Sequence, residues 1–311
     1  LLGLISHEYF HTWNVKRIKP AELARVDYAR ENHTALLWFF EGFTSYYDDL
    51  LLRRAGLIGD ARYLGLVAKQ INMLRTVPGR KVQTVAQASF DAWTKYYRGD
   101  ENTPNVTVSY YVKGALVPLA LDLELRVNSG GNLDDVMRAL WHGSAAARGV
   151  IDATSGAIDE AAIAQALHAV AGRAMDRELR AWMHDTDDPP WATLLDAMGV
   201  TTSNESPPTL AALLGLRVAE GGAGGAGGGA GGAGGIVVKQ VLDGGVAQRA
   251  GVAAGDEILA FDGWRVRKLD DACAWWSAPQ PFELTLVRGQ RLRTLRVGPR
   301  ALQAAASVAR P

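Results

Sequence analysis

His7-Glu8-Tyr9-Phe10-His11 sets two imidazoles four residues apart, with a carboxylate beside the first. On a helix, side chains at i and i+4 share one face a turn apart, so both rings can ligate a single Zn²⁺. Glu8 then lies where a carboxylate can hold a water at the metal and take its proton. A catalytic zinc needs a third protein ligand and an open position. Glu41, within Trp38-Phe39-Phe40-Glu41-Gly42-Phe43-Thr44, is the first candidate. A carboxylate in so apolar a stretch is costly unless it is paired or bound to a metal. His33, in polar loop sequence, is the competitor for that role. Asp48 follows Glu41 by seven residues, two helical turns along the same face, and can orient a ligating His through its second ring nitrogen. Asp49 is its rival. The chemistry on offer is hydrolysis by metal-activated water, with one Zn²⁺ ion as the expected cofactor.

Elements of suitable period surround these residues. Residues 2–13 read as a helix that is apolar on more than one face, and 14–33 as a basic, polar connection around Pro20. Residues 34–56 form one long apolar-periodic segment with Thr34 as a possible N-cap and Gly56 as its stop. Segments 60–77, 109–127, 132–142, 159–171 and 176–185 are also predicted helices. Gly130-Gly131 and Asp187-Asp188-Pro189-Pro190 are breaks. After Ser206-Pro207-Pro208 the pattern changes to short apolar or alternating runs at 213–219, 236–242, 257–261, 282–287 and 292–297, with a short helix at 270–277. The expected fold class is therefore multidomain α+β. A mostly α-helical domain over 1–205 precedes a small β-rich domain over 206–300, and 301–311 form a tail.

Composition narrows the functional classes. The 311 residues carry 33 Lys+Arg against 33 Asp+Glu, so the formal charge is zero, which argues against a nucleic-acid partner. The single cysteine, Cys273, excludes a disulfide framework and a Cys-based zinc site, leaving His and carboxylate as ligands; beside Trp275 and Trp276 it reads as a small core residue. No apolar run approaches the roughly 18 residues of a membrane span. Of the 34 glycines, 11 fall in the Gly/Ala tract 221–235, so the excess is one local loop insert. That tract contains Gly222-x-Gly224-x-x-Gly227, but a strand follows it where the dinucleotide fingerprint requires a helix, so nucleotide binding is not expected. His142, His168 and His184 have no ligand partners at useful spacing and read as structural or surface residues.

His7–His11 followed by Trp-Phe-Phe-Glu-Gly-Phe-Thr-Ser-Tyr-Tyr resembles the gluzincin metallopeptidases. It is most similar to the glycyl aminopeptidase family, in which a thermolysin-like catalytic domain is joined to a C-terminal PDZ domain. The stretches Asn14–Pro20, Ser89–Trp93 and Ser109–Gly114 carry the same resemblance. It implies His7, His11 and Glu41 as zinc ligands and Glu8 as general base. It also implies Tyr111, in a Tyr-x-Lys-Gly pattern, as the donor to the oxyanion, with Tyr110 the alternative neighbour. In that family an upstream Gly-x-Met-Glu-Asn-like segment binds the substrate's free amine. The sequence starts six residues before His7 and reads as a fragment lacking that segment and the N-terminal β part. Gly244–Val252 leading into Ala253–Gly263 is similar to the bacterial PDZ pattern, which captures a peptide C-terminus or extended segment at a sheet edge. The region near Leu214-Gly215-Leu216 is the candidate carboxylate loop.

The expected function is a zinc aminopeptidase that releases small N-terminal residues such as Gly or Ala, with peptides as substrates. The alternatives are a zinc endopeptidase and a non-catalytic, PDZ-containing peptide-binding protein. The intact Glu8 argues against the last, since a structural metal needs no base.

Overall fold

A computed structural model describes residues 1–144, 154–203, 209–221, 235–278 and 280–298. The chain divides into two compact units, Leu1–Gly99 with Val106–Asn204, and Asp100–Asn105 with Glu205–Pro311. The Gly-rich fingerprint at 222–227 and the 301–311 tail lie outside the described residues.

The first unit is helical. Its elements are α1 (Leu2–Phe10), α2 (Leu37–Phe40), α3 (Gly42–Arg54), α4 (Asp60–Arg75) and α5 (Val85–Phe90). Further along come α7 (Val112–Asn128), α8 (Leu133–Gly143), α9 (Glu160–Ala171), α10 (Asp176–Leu179) and α11 (Trp191–Ala197), while the short α6 (Thr103–Val106) falls mostly in the second unit. Two short strands, β1 (Lys19–Pro20) and β2 (Ala157–Ile158), pair in parallel. Caps fix several helix starts: Thr84 and Asn132 each form a reciprocal capping box, and Asp159 accepts from the Ala162 amide.

Three expectations change here. The segment predicted as one helix over 34–56 starts only at Leu37 and turns at Glu41, between α2 and α3. Gly42 and Gly114 meet backbone to backbone where α3 crosses α7, and a Cβ on Gly42 would overlap the Gly114 main chain. The turn lets the two helices approach this closely. The helix predicted at 176–185 splits into α10 and a π-helical turn over Arg180–His184. Finally, α1 buries only Phe10, whose ring stacks on Tyr47 at 4.9 Å, while Leu2, Leu4, Ile5 and Tyr9 are exposed. The core that carries the unit is instead the aromatic run Trp38, Phe39, Phe40 and Phe43, closed by Tyr110 and the apolar face of α7.

The second unit is a twisted antiparallel sheet in the order β3 (Leu216–Glu220), β4 (Ile236–Val241), β5 (Glu257–Phe261), β7 (Phe282–Arg288), β8 (Arg291–Val297), with β6 (Trp264–Arg265) paired to β5. Helices α12 (Leu210–Leu214) and α13 (Val246–Ala250) accompany it. The strand expected from Leu213 starts at Leu216, because Thr209 caps a helical turn that ends on left-handed Gly215 (φ 72°). The short helix predicted at 270–277 is a 3₁₀ helix over Leu269–Ala274. Cys273 on that turn is exposed, so it is not the small core residue expected; Ala272 and Trp276 take the buried positions. The core is built around Ile236, Ile258, Leu284 and Leu286, with Phe261 stacked on Phe282. The whole is multidomain α+β, a helical unit followed by a β-sheet unit. Among the described residues no helix is long and apolar enough to cross a membrane.

Candidate metal centre

Helix α1 ends at His11, so the HExxH spacing puts both imidazoles on its last turn. Their rings lie 4.7 Å apart and nearly perpendicular, at 89°. Glu41, at the turn between α2 and α3, brings its Oε2 to 3.3 Å from the Nε2 of each ring. Among the described residues the metal-competent cluster is His7, His11 and Glu41, with one ligand atom from each lying within 4.8 Å of the others.

The other ring nitrogens are engaged. Asp48 Oδ2 lies 3.1 Å from His7 Nδ1, and the Asn14 carbonyl lies 2.8 Å from His11 Nδ1. A main-chain carbonyl and a carboxylate can only accept, so each Nδ1 carries the proton and each Nε2 faces Glu41. Asp48 is itself placed by its own carbonyl, which accepts from Ser6 Oγ at 2.8 Å.

The electrostatics follow from this convergence. Asp48 first, then Glu41, hold His7 up at about 9 against its partial burial. Burial pulls His11 down, but Glu41 and the Asn14 carbonyl outweigh it, so its pKa is raised. Burial likewise pushes Glu41 up, yet the two imidazoles hold it down at about 2. A carboxylate and the protonated His7 ring therefore share one spot, and a cation there would replace that proton. Two imidazoles and one carboxylate, with the outer nitrogens anchored, are the donor set of a catalytic zinc.

The structure sorts the alternatives left open above. His33 stays away from the cluster: its Nδ1 meets the Phe90 carbonyl at 2.9 Å and its ring stacks on Phe90 at 4.8 Å. Asp48, rather than Asp49, touches His7; burial lifts Asp49 to about 6, with Asp48 adding to the effect. The Tyr111 ring lies 6.5 Å from His7 and its phenol feels the charge of Glu41. Tyr110 is buried, with its hydroxyl 3.3 Å from that of Tyr97. Burial, with Glu41 as the next cause, raises the Tyr111 phenol, keeping it a neutral donor. Glu8 is exposed beside the two converging imidazoles and has no hydrogen bond or ion pair to a described residue. The remaining histidines sit apart, His184 on Glu160 at 2.6 Å and His168 by Asp176 at 3.7 Å.

Two neighbours of the site were not anticipated. Asn14 contacts it through a main-chain atom, which no side-chain pattern announces. Tyr97 reaches the Tyr110–Tyr111 pair from the 3₁₀ turn Tyr96–Arg98, and the cluster Tyr96-Tyr97 in a polar loop was the available signal.

Residues 1–117 match the family model for M61 glycyl aminopeptidase, and residues 237–288 match that for a PDZ domain. Both resemblances read from the sequence are thereby met. Among solved structures, a crystal structure of an aminopeptidase N family protein from Idiomarina loihiensis is similar at 28% identity and a TM-score of 0.84. The similarity covers 100% of this chain, which spans 55% of that one. No curated protein matches.

Proposed function

We propose that this chain, in which an M61 glycyl aminopeptidase domain is joined to a PDZ domain, is a zinc-dependent aminopeptidase acting on peptides with small N-terminal residues such as Gly or Ala. The observation that carries the reading is the convergence of His7 Nε2 and His11 Nε2 on Glu41 Oε2, both at 3.3 Å, with Glu8 on the next position of the same helix. One Zn²⁺ ion held by His7, His11 and Glu41 supplies Lewis acidity toward a scissile carbonyl and lowers the pKa of water.

The residues divide the remaining work. Glu8 is free to accept a proton from the attacking water and to return it to the leaving amine. Its lack of partners leaves that carboxylate available for both transfers. Tyr111 keeps its proton and donates a hydrogen bond to the developing oxyanion. Asp48 holds His7 in the tautomer that turns Nε2 inward. In the second unit, β3 is an edge strand of the described sheet, which supports capture of a peptide C-terminus or extended segment there by strand addition.

The test is turnover of Gly- and Ala-arylamides by the zinc-loaded chain, alongside peptides blocked at the amino end. Glu8→Gln should keep the metal and abolish turnover; an unchanged rate refutes the mechanism. Cleavage of blocked peptides with none of the free-amine substrates replaces the aminopeptidase reading by an endopeptidase. Zinc binding with no turnover of either class leaves a peptide-binding protein.

A further inference from the structure

Asn14 touches both elements that carry the candidate ligands. Its carbonyl accepts from His11 Nδ1 at 2.8 Å, which fixes the tautomer of the second imidazole. Its side chain points the other way and is fully buried, at 0% exposure. There Nδ2 donates to the Phe40 carbonyl at 3.3 Å and lies 3.4 Å from Thr44 Oγ1. Phe40 immediately precedes Glu41, and Thr44 stands on the first turn of α3, where its hydroxyl donates to the same Phe40 carbonyl at 2.5 Å.

A buried amide normally pairs all its polar atoms, and leaving one unpaired costs free energy. Asn14 Oδ1 has no hydrogen-bond partner among the described residues. An apolar side chain would fill the volume without that cost, so filling the core does not by itself account for an amide here. What the amide supplies is a donor to the backbone just before Glu41, on the residue whose carbonyl orients His11. Three turn hydrogen bonds, from the amides of residues 14, 15 and 16 to the carbonyls of Phe10 and His11, hold this stretch against the end of α1.

We infer that Asn14 is a positioning residue that sets His11 and Glu41 in register with one another, so that two ligands from separate elements meet at one point. The inference rests on the zinc reading above. The side-chain tether and the main-chain contact belong to one buried residue, and loss of the tether frees the α2–α3 turn to shift against the end of α1. Outer contacts of this kind alter metal affinity about 10- to 100-fold when removed.

The experiment compares wild type with Asn14→Asp, which keeps the shape but turns an acceptor toward the Phe40 carbonyl, and with Asn14→Ser, which is too short to reach it. Helical circular dichroism and the urea midpoint of the metal-free chains establish that each variant is folded. Zinc Kd from competition with a chromogenic chelator, and the visible spectrum of the Co²⁺-loaded chains, are the readouts. The expected result is a Kd weakened about 10- to 100-fold with an altered cobalt spectrum in a folded variant. Should Asn14→Asp fail to fold, Asn14→Ser gives the measurement, and Thr44→Val, which strips the second donor from the same carbonyl, gives a smaller loss in the same direction. Wild-type Kd and spectrum in a folded Asn14 variant overturn the inference and leave the zinc reading intact. A wild-type chain that binds no zinc overturns both.

Discussion

Lys113 offers a sharp test of the electrostatic reasoning. It lies on the first turn of α7, is 0% exposed, and its Nζ has no hydrogen-bond partner among the described residues. Burial first, then the nearby charges of Lys81 and Arg80, lower its pKa from 10.5 to about 8, with Asp187 opposing them. A lowering of that size corresponds to about 3 kcal/mol against the charged form in the folded state. The unfolded chain binds this proton more tightly, so the penalty is complete below pH 8 and fades as pH rises toward 10.5. Lys113→Met keeps the apolar stem and deletes the ammonium group. Urea denaturation of the helical unit should find the variant more stable by about 1–3 kcal/mol at pH 7. The gap should close to under about 1 kcal/mol at pH 10, where the folded lysine is already neutral. A variant less stable than wild type at pH 7 would mean that Nζ has a partner. A gap that ignores pH would mean that the ammonium is not what costs stability. Either result refutes the reasoning.

Other expectations follow from the same contacts. His7 is held at about 9 in the metal-free chain, so zinc must displace its proton. Zinc affinity should therefore rise about tenfold per pH unit from 7 to 9, and calorimetry in buffers of different protonation enthalpy should find about one proton released at pH 7. Asp48→Asn should weaken zinc binding about 10- to 100-fold, and an unchanged Kd removes Asp48 from the site. Tyr111→Phe should lower kcat about 100- to 1,000-fold with KM nearly unchanged, whereas Tyr110→Phe should not; equal losses would place the donor elsewhere. In the second unit, Asp256 is 0% exposed and Arg288 holds it with bonds of 2.7 and 2.8 Å. Arg288→Ala strands that carboxylate and should cost about 3 kcal/mol, the low end for a buried pair because Arg288 itself is partly solvated. Its pKa is lowered, through Arg288 and the Ala253 amide against burial, so this contribution is present above pH 3.8 and fades as pH falls below it. Thermal melts of wild type and variant across that range give the check.

The parts of the site that were legible in sequence are those fixed by local geometry. The His7–His11 spacing needs only a helix, and the cost of a lone carboxylate in an apolar stretch made Glu41 the first candidate beside His33. The choice between Asp48 and Asp49 needed more than spacing, because both lie past Glu41 and only rotation of α3 on α1 decides which one meets His7 Nδ1. Tyr110 and Tyr111 were likewise inseparable by pattern. The start of α7 turns one ring into the core and the other toward His7. The break of the 34–56 segment at Glu41 was hidden for another reason. It lies beside a close approach to Gly114, a residue more than seventy positions away that local spacing does not bring to Gly42.

That break bears on the chemistry. In an uninterrupted helix through Trp38–Thr44, the direction of Glu41 would be set by a helix whose neighbours are large buried aromatics, with little room to adjust. The turn at Glu41 places the ligand where the backbone changes direction, and the Gly42–Gly114 contact anchors the far side of that turn. The Phe40 carbonyl on the near side takes hydrogen bonds from both Asn14 and Thr44. The carboxylate is thus held from two sides by groups that never touch a metal. A ligand on the last turn of α1 and a ligand at a helix break can meet only if something sets the distance between the two elements. In this chain the buried amide of Asn14 spans the two elements, while the glycine contact fixes the break against α7.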